Sequence, residues 1–130
     1  MIGLDTNILV RYIVQDDEEQ AAQANELMEQ LTESEPGYVT MVVLAELYWV
    51  LTRAYQTDRS SVLAILQRLL DTRELVVEQA DTVRIALGRA VKGADFADAL
   101  IGELSRTAGC HYTVTFDRKA AKLAGMRLVG

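Results

Sequence analysis

Apolar and polar positions along the chain divide it into short strands and amphipathic helices that alternate from end to end. Residues 1–4 form a short apolar run that stops at Asp5, and the Thr6-Asn7 that follows suits a buried strand ending in a turn or a helix start. Residues 8–14 read as a short helix. Asp16-Asp17-Glu18-Glu19 opens a second one, because acids in a first turn complement the helix dipole. Ala21, Ala24, Leu27, Met28 and Leu31 continue it at three- and four-residue spacing. A turn over 34–37 holds the only proline. Tyr38-Val39 predicts a second strand, Thr40 an N-cap, and 41–54 a helix. A further helix runs from 58 to 71, with Val62, Ile65, Leu66, Leu69 and Leu70 as its apolar stripe. Leu75-Val76-Val77 predicts a third strand. Residues 81–91 and 96–108 are helical on either side of a break at Lys92-Gly93. A fourth strand over 112–116 stops at Asp117, and a short helix over 118–124 leads to an edge strand at 127–129.

Short apolar strands alternating with helices imply an α/β fold, in which a short parallel sheet of about four to five strands is flanked by helices. No internal repeat or linker interrupts the pattern, and 130 residues suit a single domain over 1–130. In such sheets functional groups gather at the carboxyl ends of the strands. Asp5 and Asp117 each follow a predicted strand directly.

Composition narrows the chemistry. One cysteine, Cys110, excludes an internal disulfide framework and a Cys-rich zinc site, and one histidine, His111, excludes catalysis by a histidine pair. Cys110 reads as small buried filler, and its neighbour His111 would point to the opposite side of a strand, so the two do not form a nucleophilic pair. With 13 Lys and Arg against 19 Asp and Glu the net charge is −6, which taken alone argues against nucleic acid as a partner. Carboxylates that hold divalent cations are locally neutralised, however, and such a site attracts phosphate. Aromatic residues, 6% of the chain, look too dispersed for a base-stacking platform. No apolar run approaches the roughly 20 residues that span a bilayer, so no membrane association is expected. An acid at position 5 is foreign to a secretory signal, which leaves the cytoplasm as the expected location.

Several acids stand where structure alone gives them little reason to be. Glu46 has Val42, Val43, Trp49 and Val50 as its helical neighbours and is expected to be desolvated among them, paired either with a tertiary cation or with a metal. Asp95 suits the N-cap of its helix. Asp98 borders that helix's buried face, and Gly102 leaves open space beside it. Asp117 and Asp5 fit turns or caps equally well. Together these acids say more than each does singly. Clustered carboxylates repel in a low-dielectric site unless cations join them, and hard oxygen ligands suit Mg²⁺ or Mn²⁺.

The motifs Leu4-Asp5-Thr6-Asn7-Ile8-Leu9-Val10-Arg11, Leu44-Ala45-Glu46-Leu47, Asp95-Phe96-Ala97-Asp98-Ala99-Leu100-Ile101 and Thr115-Phe116-Asp117 together resemble the PIN-domain family, and more narrowly the VapC-type ribonuclease toxins of bacterial toxin–antitoxin pairs. The resemblance implies a PIN fold, an Mg²⁺- or Mn²⁺-dependent endoribonuclease, an RNA substrate, frequent homodimers and a cognate antitoxin protein. Asp5, Glu46, Asp98 and Asp117 match the family's acidic quartet, with Asp5 and Asp98 as direct metal ligands and Glu46 and Asp117 completing the site or holding water. Asp95 matches an additional acid of some members. Thr6, Asn7 and Thr115 match polar positions that orient the acids. The four quartet acids are expected to converge at the carboxyl edge of the sheet. The chemistry expected is hydrolysis by a metal-activated water, leaving a 3′-hydroxyl and a 5′-phosphate.

Two readings compete. A phosphatase- or receiver-like α/β domain also places an Asp after its first strand, but the phosphatase pattern wants a second acid where Asn7 stands. A non-catalytic PIN-like binding module would keep the fold without the activity. A partner surface is also expected: Leu27, Met28 and Leu31 on one helix and Leu63, Leu66 and Leu70 on another suggest an exposed apolar groove for an antitoxin segment, with a separate homodimer surface.

Overall fold

A computed structural model describes the whole chain, Met1 to Gly130. Seven α-helices and five short strands alternate, and every strand pairing is parallel, as the hydrophobic pattern predicts. The strands pair as a group of three and a group of two. These belong to two compact units, Met1–Glu78 and Gln79–Gly130.

In the first unit the order is β1 (Ile2–Gly3), α1 (Thr6–Val14), α2 (Glu18–Gln30), β2 (Gly37–Val39), α3 (Met41–Trp49), α4 (Arg59–Asp71) and β3 (Leu75–Val77). Strand β2 lies in the middle, with Gly37 opposite both Ile2 and Leu75. A side chain at Gly37 would meet Leu4 Cδ1 at 2.8 Å and Leu31 and Leu75 at 3.0 Å, so these leucine ends pack against the glycine and would have to shift for any larger residue. Leu9, Val39, Leu44, Leu47, Leu51, Val62 and Leu66 fill that core. Helix α3 runs on through a π-helical turn, Val50–Ala54, closed by a bond from the Tyr55 N–H to the Val50 carbonyl. Asp17, Thr40 and Asp58 cap α2, α3 and α4 through their side chains.

Two expectations change here. Strand β1 is exposed, and burial begins only at Leu4. The apolar groove expected on α2 and α4 does not exist in that form: Leu31, Leu63, Leu66 and Leu70 are core, while Leu27 and Met28 are half-buried. The stripe of α4 faces inward, the ordinary fate of an amphipathic face.

The second unit contains α5 (Ala80–Val91), α6 (Phe96–Thr107), β4 (Val114–Thr115), α7 (Arg118–Leu123) and β5 (Arg127–Leu128). Helices α5 and α6 pack together, and the small buried residues Ala86, Ala90 and Ala99 permit close approach beside Val83, Leu87, Phe96 and Leu100. Strands β4 and β5 pair in parallel, Val114 opposite Arg127 and Thr115 opposite Leu128. The buried carboxylate of Glu103 takes two bonds from Arg106, at 2.9 and 3.1 Å, and lies 3.3 Å from Arg89 Nε. Gly125, at φ +71°, leaves Arg89 its place, because a Cβ there would sit 2.9 Å from the guanidinium. No helix of the chain is long and apolar enough to cross a membrane.

Candidate active site

Each candidate acid is held by a helix start or a helix face, and the hydrogen bonds separate acids with structural work from acids without it. In the first unit Asp5 follows β1 and occupies the N-cap of α1 in an extended conformation, φ −76° and ψ 157°. An aspartate at that position ordinarily accepts an N–H from the first turn. Asp17 and Asp58 do so in this unit, and Asp95 and Asp117 in the other; the Asp5 side chain makes no cap bond. Its carboxylate is exposed. The adjoining Thr6 is buried, and its Oγ1 has no hydrogen-bond partner. Asn7 is exposed and lines a groove of about 500 Å³ with Arg11, Gln20 and Leu27.

Glu46 is not desolvated. The buried face of α3 and its π-turn consists of Leu44, Leu47, Tyr48 and Leu51, and Glu46 points away from it into solvent. Its neighbours one turn away share that exposure, Val42 at 76% and Trp49 at 49%. The Arg53 guanidinium lies 3.6 Å from the Trp49 ring centroid, so the aromatic on this face is already engaged by a cation. An exposed glutamate incurs no burial cost and needs no structural partner. The desolvation that singled Glu46 out in the sequence is therefore absent.

The second unit gathers Asp95, Asp98 and Asp117. Asp95 caps α6, its Oδ1 accepting the Asp98 N–H at 3.0 Å. Asp117 caps α7, its Oδ1 accepting from the N–H groups of Lys119 at 2.8 Å and Ala120 at 3.2 Å. Thr115 fixes the approach to that cap, since its Oγ1 accepts the Asp117 N–H at 3.0 Å. Asp98 is half-buried in the first turn of α6. Desolvation pushes its carboxyl above the usual aspartate value, and the negative charges of Asp95 and Asp117 push it further, against a weaker pull from Lys119. A carboxylate destabilised in this way favours a proton or a cation. The expected open space at Gly102 is absent, for a Cβ there would stand 3.1 Å from the Ala124 carbonyl oxygen.

Neither unit by itself assembles three His, Cys, Asp or Glu side chains into a ready metal-binding group. The acids that make no capping bond, Asp5 in the first unit and the half-buried Asp98 in the second, are each hard oxygen donors of the kind that suits a divalent cation.

A second cluster escapes sequence reasoning. Arg89, Glu103 and Arg106 border a cavity of about 120 Å³ that Cys110 and His111 also line, so these two neighbours share one wall instead of diverging, and Cys110 is exposed instead of buried. The segment after Gly109 is not yet a strand there, which removes the alternation on which the divergence rested. The i, i+3 spacing of Glu103 and Arg106 is a readable signal; the third member, Arg89, arrives through tertiary packing.

No curated protein matches the chain. Residues 2–126, nearly its whole length, match a family model described as PIN domain.

Proposed function

Because this chain belongs to the PIN domain family, whose members are in general metal-dependent nucleases and hydrolases, we propose that it is an Mg²⁺- or Mn²⁺-dependent endoribonuclease. In this reading it is the VapC-type toxin of a type II toxin–antitoxin pair, acts as one domain over residues 1–130, works in the cytoplasm as a homodimer and is restrained by a cognate antitoxin protein. The observation that carries the proposal is the state of Asp98: half-buried, destabilised by Asp95 and Asp117, and without a capping bond.

Asp5 and Asp98 would hold the cation, which supplies positive charge for the phosphodiester oxygens and acidifies a water. The chain's other acids have separate tasks. Glu46, exposed and held by no ion pair, is free to orient a water and take its proton. Asp117 keeps one oxygen on its helix cap and leaves the other for the site. Thr115 and Asp95 act as positioning residues, the first through the Asp117 N–H and the second through the Asp98 N–H. Thr6 Oγ1, buried and unbonded beside Asp5, is placed to orient a neighbouring carboxylate or water. In the net reaction the water oxygen bonds to phosphorus and the P–O3′ bond breaks. The leaving oxygen departs as a 3′-hydroxyl, with the proton returned to it, and the phosphate stays on the 5′ oxygen of the downstream fragment.

The test is cleavage of mixed structured RNAs across a titration of divalent cation, comparing the parent with Asp98→Asn. Cleavage that requires the cation, stops with chelator and is lost in Asp98→Asn is expected. Full activity in excess chelator would overturn the proposal.

A further inference from the structure

From Leu104 onward the chain carries Arg106, Arg118, Lys119, Lys122 and Arg127 against Asp117 alone, a strongly basic segment in a protein whose total is −6. All five cations are exposed. The same segment exposes an unusual run of apolar residues on and beside β4. Tyr112, Val114 and Phe116 are 53%, 57% and 85% exposed and alternate with the half-buried Thr113 and Thr115. Within the strand Val114 marks the outward face and Thr115 the inward one, while Tyr112 just before it and Phe116 just after it are both exposed. Arg127, opposite Val114 in the parallel register, joins that face, and its guanidinium lies 3.8 Å from the Tyr112 ring centroid.

Parallel sheets ordinarily have both faces covered, yet this face of β4–β5 is bare. Phe116 leaves most of its ring in water immediately before Asp117. Aromatic faces interleaved with cations are what a flexible polyanion with free bases requires: bases stack on the rings, and Lys and Arg follow the phosphates. The same face of a second copy would set cation against cation. A duplex would keep its bases stacked inside and out of reach of Phe116.

We propose that the exposed face of β4–β5 binds single-stranded RNA, Phe116 stacking on a base while Arg118, Lys122 and Arg127 contact phosphates, so that the strand passes Asp117. The inference rests on the ribonuclease reading for its choice of ligand and adds a location and a strandedness. Lys119 is left out of the phosphate set because its charge acts on Asp98.

Fluorescence anisotropy with a short labelled oligouridylate tests this on the full chain carrying Asp98→Asn, which keeps the probe intact. Phe116→Ala is expected to weaken binding about 10-fold. Phe116→Leu, which keeps apolar bulk but no π-face, is expected to lose as much, and Phe116→Trp to retain affinity. Replacing Lys122 and Arg127 together with Gln is expected to reduce the salt slope of binding by about 1.4, at roughly 0.7 for each phosphate no longer neutralised. The matching duplex is expected to bind more weakly than the single strand. Unchanged affinity and salt slope in these variants, with thermal unfolding like the parent's, overturns the proposal. So does a loss of self-association in Phe116→Ala with RNA binding intact, which would make the face a contact between copies. Cleavage separates the two readings: RNA held through Phe116 but never cut overturns the nuclease, while cutting indifferent to Phe116 overturns this surface alone.

Discussion

Residues Met1–Glu78 hold 14 of the 19 acids and 5 of the 13 basic residues, a balance of −9, whereas Gln79–Gly130 hold 5 acids and 8 basic residues, a balance of +3. The chain total of −6 describes neither unit. Many acids of the first unit are simply solvated, such as Glu18, Glu19, Glu26 and Glu29 on the surface of α2. In the second unit nearly every acid has a definable role. Asp95 and Asp117 cap helices, Glu103 is buried with two arginines, Asp81 opens α5, and Asp98 is held against its own electrostatics. Where acids are scarce each one is informative; where they abound, only one that departs from its local habit stands out. Asp5 is that departure in the first unit.

The largest expected effect is on catalysis. Asp5→Asn and Asp98→Asn should each lower metal-dependent RNA cleavage by about 100-fold or more, while Asp95→Asn, whose amide oxygen can still cap α6, should cost about 10-fold. Equal losses at Asp95 and Asp98 in initial-rate assays would erase the distinction between capping acid and free acid. Next come the two glutamates. Glu103→Gln should destabilise the fold by about 2 kcal/mol in urea denaturation, because two arginines lose the carboxylate they share. Glu46→Gln should leave stability unchanged and reduce cleavage. Smaller still, Asp98→Asn should raise Tm by about 2 °C at neutral pH without added divalent cation, since it removes a charge that partial burial, and after it Asp95 and Asp117, oppose.

The smallest effect concerns pH. Bonds from Ser60 and Ser61 hold the Asp58 carboxyl below its usual value. A depressed carboxylate stabilises the fold above the unfolded-state pKa and ceases to do so as pH falls through the folded-state value. The stability deficit of Asp58→Ala should therefore be present at neutral pH and vanish in strong acid, as followed by thermal unfolding at a series of pH values.

Much of this architecture is legible in the sequence. Strand β3 falls on Leu75–Val77 as the β-branched run predicts, and α3, started by its Thr40 cap, ends with its π-turn at Ala54 as expected. Orientation is what escapes. Residues 41–51 are apolar almost all round, so periodicity could not decide whether Glu46 looked inward, and packing chose the Leu44–Leu47–Leu51 side instead. The strand over 112–116 shows the same gap. The strand itself shrinks to Val114–Thr115, and its aromatics, which look dispersed in number, both stay exposed beside it. For Asp5 the sequence is ambiguous by nature, since Asp-Thr-Asn is what a well-capped helix looks like; only the missing bond tells the difference.

That missing bond has an evolutionary consequence. Helix α1 starts without help from the Asp5 side chain, so folding imposes no selection on this carboxylate. A single-base change from Asp to Asn would pass unnoticed by chaperones and proteases, and the product would be a folded, abundant protein with its chemistry removed. Lineages that carry such a gene and no longer benefit from cutting RNA should thus shed position 5 early and keep the caps at 17, 58, 95 and 117, leaving silent copies whose decay begins at the site and not in the core.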